Sequence, residues 1–412
     1  MDMKILVIGK GGREHALASA LAASPRCTQL FCAPGNPGMG CIGTNVNISD
    51  SDTEAMVQFA RQEGIDLAVI GPESALAAGM ADALEEAGIR VFGPSRAAAQ
   101  VESSKDFAKE IMKKYGIPTA AWHTFDDAEA ARAWVQAQGA PIVIKEDGLK
   151  AGKGVTVAMD LDTALEAVDA AFAQEGGRVV IEEYLEGFEY SLIALVHDGL
   201  VIPLETAQDH KRVGDGDTGP NTGGMGSYSP VRKITPEILE ETMKTVMEPM
   251  AAALVSEGVP FTGFLYGGLM LTEDGIKVIE FNARFGDPEA EVILPRLESD
   301  FVEAILSVMD GRPVSLQWSP KTCHGVVLAS TGYPAGSTKG APIEIADTDA
   351  QIFHMGTRNE DGQLLTDGGR VLMAVTMEDT LEEAFAHTYR ELDSIRCPEL
   401  FYRTDIGRKD MD

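Results

Sequence analysis

The chain has 412 residues, 44% apolar and 24% charged, with a formal charge of −30. That composition excludes disordered, collagen-like and coiled-coil chains and leaves room for roughly two to four domains. The acidity excludes general binding to nucleic acid or an anionic membrane, yet a few local cations and helix N-termini can still hold one small anion.

No apolar run is long enough to span a bilayer. The N-terminus enters a strand-like segment directly, so no signal peptide is expected. Cys27, Cys32, Cys41, Cys323 and Cys397 are odd in number and form no Cys-x-x-Cys pair. Buried thiols in a reducing compartment, and so a cytoplasmic location, are expected.

In chain order, residues 4–8 read as a strand stopped by Gly9, followed by an alanine-rich helix over 13–23. Strands are expected at 29–33, ending at Pro34-Gly35-Asn36, and at 67–70, ending at Gly71-Pro72-Glu73. A helix over 74–87 is stopped by Gly88, and a strand over 90–92 ends at Gly93-Pro94. The alternation predicts an open parallel α/β sheet, with glycine turns at the carboxyl ends of strands, where such sheets bind ligands.

A second unit begins near Val101. Its helix over 105–115 stops at Gly116, and a compact α+β insert follows between Thr119 and Ser191. The insert carries strands at 142–145, 155–158 and 179–182 and a helix start at Asp126 with Glu129. Beyond it lie a polar loop over 208–229, a helix over 236–254, strands near 264–271 and 276–280, and a helix over 288–309. Residues 311–321 read as a linker and 323–412 as a strand-rich tail with one helix near 381–392. The expected domains are 1–101, 102–322 with a lid at about 118–191, and 323–412.

Four segments carry chemistry. Gly9-Lys10-Gly11-Gly12-Arg13-Glu14-His15 sits between strand and helix, where backbone N–H groups favour an anion. A dinucleotide fingerprint needs glycine at position 14 and an acidic residue ending the second strand; Glu14 and Cys32-Ala33-Pro34 stand there instead, which disfavours nicotinamide binding. A single phosphate and a plain tight turn stay equally open. Lys145, at a strand end beside Gly148-Leu149-Lys150-Ala151-Gly152-Lys153-Gly154, suits nucleotide phosphates, although the spacing is not a Walker loop and, on spacing alone, a charged, solvated hairpin is narrowly the better reading.

Third, Asp209-His210-Lys211-Arg212 leads into Gly219-Pro220-Asn221-Thr222-Gly223-Gly224-Met225-Gly226, a long loop of the kind that is usually functional or disordered. Met225 reads as packing and His210 as an ordinary surface histidine. Fourth, Glu280 and Asn282 share one face of a strand and offer two hard oxygen donors suited to Mg²⁺, with Arg284 nearby as a clamp for a carboxylate or phosphate; an exposed strand end with a structural ion pair stays open as the other reading.

Together these segments resemble the phosphoribosylamine–glycine ligase (glycinamide ribonucleotide synthetase) family of the ATP-grasp superfamily, over essentially the whole chain. The most specific stretches are Gly11-Gly12-Arg13-Glu14-His15, Gln208 to Arg212 with Gly219 to Gly226, and Glu280 to Glu289. The resemblance implies an N-terminal α/β domain, a central ATP-grasp fold with a mobile lid and a strand-rich C-terminal domain. It implies ligation of glycine to 5-phosphoribosylamine with ATP, in de novo purine synthesis, through a glycyl phosphate.

It further implies that Lys105, Lys145 and the Gly152-Lys153-Gly154 loop meet the nucleotide phosphates. Glu182, Glu183 and Leu185 resemble the adenine hinge, and Glu189 the ribose-binding carboxylate. Glu280 and Asn282 match Mg²⁺ or Mn²⁺ ligands. Gly11, Gly12, Arg13 and Glu14 lie toward the ribosylamine phosphate. Arg284, Asp209 and Lys211, with Pro220, Asn221, Thr222, Gly223, Gly224 and Met225, line the reaction centre. The family usually has Asn at Lys10 and small residues at Glu146 and Lys150. A monofunctional monomer is expected, with small-molecule substrates only. Biotin-carboxylase-like and formate-using ligases fit the Gly-Gly-Arg-Glu-His and Asp-His-Lys-Arg segments poorly. A catalytically silent binder fits the full set of lysine, carboxylate and amide positions poorly.

Overall fold

The computed structural model describes residues 2–149, 154–173 and 176–411. Five parallel strands form the N-terminal sheet, in the order Thr44–Asn45, Cys27–Pro34, Met3–Gly9, Leu67–Ile70, Arg90–Phe92. Ile5 to Ile8 and Leu67 to Ile70 are buried throughout, because central parallel strands are covered on both faces. Helix Gly12–Ala22 follows the first strand, and Glu14 folds back so that its Oε2 accepts from Gly11 N at 2.7 Å.

Two local departures from expectation have clear causes. The helix expected over 74–87 is two helices, Glu73–Ala78 and Met80–Glu86, because Gly79 takes a left-handed φ of 90° and ends the first. Helix Thr53–Glu63, not expected, is capped by Asp52, whose Oδ1 accepts from Ala55 N at 3.0 Å, and stopped by left-handed Gly64.

The central region holds two antiparallel four-stranded sheets. One runs Leu200–Pro203, Phe188–His197, Thr262–Thr272, Gly275–Asn282; the other runs Trp122–Phe125, Val179–Glu183, Ile142–Glu146, Val155–Ala158. The second sheet, with helices Ala128–Gln138 and Leu161–Phe172, builds its own apolar cluster around Val135, Ile144 and Val168. Its first helix is capped by Asp127, one residue beyond the expected start.

The helix expected over 236–254 carries a wide turn at Met243–Met247, which absorbs the missing N–H of Pro249. The helix expected over 288–309 is broken: a short turn Ala290–Ile293 tightens at Leu294–Arg296, and a separate helix Phe301–Met309 begins at Asp300, whose Oδ1 accepts from Glu303 N. Pro295 and the Asp300 cap make the break.

The region over 208–229 is not one loop. Gln208–Asp209 and Gly226–Ser229 add to the C-terminal sheet through Thr322–Ser330, and Arg212–Gly214 pairs with Thr218–Asn221 as a hairpin. The C-terminal sheet continues through Arg370–Glu378 to Gln351–His354, with Leu400–Phe401 along Thr322–Ser330 and helix Leu381–Glu391 packed across it. The segment over 208–229 is therefore held by the C-terminal sheet. Helix Gly12–Ala22 and the turn after Cys27–Pro34 are both pinned to that sheet: His15 Nδ1 accepts from His354 N at 2.9 Å, and Asn36 Nδ2 donates to His354 O at 2.9 Å.

Candidate active site

A continuous cleft runs between the two central sheets. One end is lined by Lys105, Lys145, Gly154, Glu280, Asn282 and Arg284. A cavity of about 470 Å³ extends past Glu183, Leu185, Glu189, Asp209 and Lys211. Lys145, Glu182 and Ile279 border both. A third region, shared by Arg13, Asp209, Glu280, Asn282, Arg284 and Arg370, joins the cleft to the N- and C-terminal sheets.

Lys105 opens helix Lys105–Tyr115 behind the Ser104 cap; its Nζ donates to Gly148 O at 2.9 Å and its backbone N to Asp147 Oδ1 at 2.7 Å. Lys145, next to last in strand Ile142–Glu146, donates to Ile279 O at 2.8 Å and pairs with Glu182 Oε1 at 2.9 Å. Glu182 Oε2 lies 3.0 Å from Lys109 Nζ, so one buried carboxylate holds two buried ammonium groups. Burial pushes Lys109 down to about 8, against the pull of Glu182. Glu182 is thus a brace for the lysines, leaving only its backbone for a base. Glu183 pairs with Lys277 at 3.2 Å.

Glu280 and Asn282 line the same two parts of the cleft, as their shared strand face requires. Burial pushes the Glu280 carboxyl up, but Lys211, Lys145, Lys105 and Arg284 outweigh it and hold it below the usual range. An ionised carboxylate beside an amide oxygen is a donor set that fits a hard divalent cation. Lys211 makes a close ion pair with Glu189. Burial opposes the Lys211 charge, yet Glu189, Tyr266, Glu280 and Asp209 hold the ammonium well above its usual range. Burial, then Glu289, raises the Asp209 carboxyl well above a normal carboxylate, and its Oδ1 is buried and unpartnered among the described residues. Gly224 is needed beside it: at φ 117°, an added Cβ would stand 2.5 Å from Asp209 Oδ1.

Arg284 is held by two carboxylates, Glu102 at 3.0 Å and Glu73 at 3.4 Å. Arg13 is buried, 2.5 Å from Glu14 and 3.6 Å from Glu73. Gly11 and Gly12 line a separate concavity with Lys10, Thr357, Gly368 and Arg370. Arg370 donates to Gly223 O at 2.8 Å and pairs with Asp287 at 2.9 Å, so the C-terminal sheet reaches both regions.

Two expected substrate contacts turn inward. The Glu14 carboxylate is taken up by Gly11 N and Arg13, and Gly9 and Gly71 leave room for it. Met225 is fully buried in the C-terminal core with Val326 and Leu328. His210, read as a surface residue, is 3% exposed; its Nε2 accepts from Gly407 N at 3.0 Å, and burial lowers it to about 3. Asn221, Thr222 and Gly223 line the cleft, whereas Pro220 is exposed on the hairpin. Gly152, Lys153 and Lys150 lie outside the described residues.

Models of the phosphoribosylglycinamide synthetase N domain, ATP-grasp (A) domain and C domain match residues 3–102, 103–290 and 323–409. The chain belongs to the phosphoribosylglycinamide synthetase family. It is 50% identical to the phosphoribosylamine–glycine ligase of Halalkalibacterium halodurans over 99% of this chain and 97% of that protein. It is 49% identical to that of Brucella melitensis over 98% and 97%. The crystal structure of the Thermotoga maritima phosphoribosylamine–glycine ligase superposes with a TM-score of 0.86 at 34% identity, covering 98% of this chain and 100% of that one. A biotin carboxylase from Campylobacter jejuni, 15% identical with a TM-score of 0.75, shares the fold.

The ATP-grasp sheets of this synthetase-family chain are the two antiparallel sheets that flank the cleft. No described helix is long and apolar enough to cross a membrane. Sequence reasoning missed Glu73, Glu102, Lys109 and Arg370. Glu73 stood in a quoted glycine turn, and Lys109 lies one helical turn after Lys105 on the same face; Glu102 and Arg370 carry no local signature, and only tertiary packing brings them to the cleft.

Proposed function

We propose that the chain joins glycine to 5-phospho-β-D-ribosylamine, converting ATP to ADP and phosphate and releasing glycinamide ribonucleotide. The observation that supports this most is the single cleft. It carries paired lysines and an oxygen-donor pair at one end and opens toward Arg13 and Arg370 at the other.

In this reading Lys105 and Lys145, with residues 152–154, bind the nucleotide phosphates, and the backbone from Glu182 to Leu185 faces adenine. Glu189 binds the ribose once Lys211 turns from it toward the reacting groups. Glu280 and Asn282 hold Mg²⁺ or Mn²⁺, which screens phosphate charge when bound. Transfer of the γ-phosphoryl group to the glycine carboxylate gives glycyl phosphate. The ribosylamine nitrogen then attacks its carbonyl carbon, the C–N bond forms, phosphate leaves and the nitrogen loses a proton. Lys105, Lys145 and Arg284 offset charge that builds during phosphoryl transfer. Asp209, desolvated and facing the Glu289 charge, is the residue that accepts the amine proton in this reading.

Residues 118–191 act as a lid that keeps water from the acyl phosphate. Residues 1–101 and 323–412 present the ribosylamine, its phosphate on the turn at Gly11 and Gly12 near Lys10 and Arg370. The chain acts as a cytoplasmic monomer. Glycine-dependent exchange between ATP and labelled ADP, measured without the amine, tests the glycyl phosphate step. Exchange that needs glycine supports it; no exchange in an enzyme that makes product counts against it.

A further inference from the structure

Glu291 lies on the short turn Ala290–Ile293 and is wholly buried. Neither of its carboxyl oxygens has a hydrogen-bond partner among the described residues. It packs against the first residue of helix Gly12–Ala22: a Cβ added at Gly12 would stand 2.2 Å from Glu291 Oε1. Gly12 and Met355 also line the concavity that holds Lys10, Gly11 and Arg370. A buried, unpartnered carboxyl therefore sits behind the turn on which the substrate phosphate is proposed to rest.

The charged groups around it do not neutralise it. Asp287 and Glu289 come from its own segment. Arg370, from the C-terminal sheet, is committed to Asp287 and Gly223 O, and Arg13, from the N-terminal helix, to Glu14 and Glu73. Burial first, and then Asp287, holds the Glu291 carboxyl well above the usual carboxylate range, with Arg370 opposing.

We propose that Glu291 gates the phosphate subsite by charge: the neutral carboxyl lets the ribosyl phosphate seat on the turn at Gly11 and Gly12, and the carboxylate repels it. The idea rests on the ligase reading and adds a residue that sets when the phosphate-bearing partner binds. Two negative charges separated by one backbone layer repel, and burial of the Glu291 carboxyl on its side of the turn limits screening there, so deprotonation weakens phosphate binding by about tenfold.

The test measures calorimetric binding of glycinamide ribonucleotide to the full chain from about pH 6.5 to about pH 9.5. Wild type is compared with Glu291→Gln, and the phosphate-free riboside serves as control. Wild type is expected to lose affinity for the ribonucleotide as pH rises, by about tenfold more than Glu291→Gln. The riboside is expected to respond to pH equally in both. Parallel ribonucleotide curves in wild type and variant overturn the gate. Glu291→Met, which also cannot ionise, replaces the Gln variant if that one does not fold. A second readout is stability. The folded carboxyl keeps its proton where the unfolded one has lost it, so wild type loses stability relative to Glu291→Gln as pH rises; an unchanged difference overturns the gate as well. A wild type that binds no ribonucleotide at any pH overturns the ligase reading itself, and the gate with it.

Discussion

Glu280 and Asn282 stand two positions apart on Gly275–Asn282, and the strand period alone puts both into the cleft. Their pairing was legible in the sequence because it is local. Glu280→Ala is expected to lower kcat by about 100-fold or more in a well-folded protein; circular dichroism and steady-state rates check it. Arg370 shows the opposite case. Its donors reach Gly223 and Asp287 across 147 and 83 residues of chain, and no spacing rule links them. Arg370→Ala is expected to raise KM for the ribosylamine by about tenfold to 100-fold while KM for ATP changes little. An equal rise in both would place Arg370 at the nucleotide instead.

Among elements, apolar runs and glycine stops carried most of the reading. Leu67–Ile70 and Arg90–Phe92 fall where periodicity puts them, and Gly116 ends Lys105–Tyr115 in the left-handed region. Periodicity failed where backbone chemistry interrupts an apolar face. Gly79 splits one expected helix and Pro295 with Asp300 another, although the buried face runs on in both. The segment over 208–229 failed for a different reason: its strands are short and polar, and Thr322–Ser330, which ties Gly226–Ser229 into a sheet, is distant in sequence. Gly79 has only ordinary contacts near an added Cβ, at 3.8 Å or more, so φ is the cost. Gly79→Ala is expected to destabilise by about 1 kcal/mol, read as a lower denaturant midpoint with unchanged m.

At the scale of the molecule, buried and half-buried histidines tie distant segments together. His15 meets His354, His210 meets Gly407, and His324 meets Thr388 and Ile406. Burial holds His15 and His210 at about 3 and His324 and His354 at about 4. The unfolded forms take up protons near pH 6.5. The stabilisation from these neutral rings is thus full above about pH 6.5 and is lost as pH falls toward the folded values. A pH series of urea unfolding is expected to show His324→Gln with a flatter acid limb than wild type, by on the order of 3 kcal/mol at the acid end. Identical slopes would mean that His324 takes no part in the acid loss.

In the proposed function, one cleft couples ATP turnover to both glycine and the amine. The most direct test is ADP release with Mg²⁺, glycine and phosphoribosylamine formed in situ, each omitted in turn, with the product followed by mass spectrometry. Net release that needs both substrates and yields glycinamide ribonucleotide is the predicted result. Sustained ATP turnover with another carboxylate or amine, or none with the complete mixture in folded protein, would contradict it.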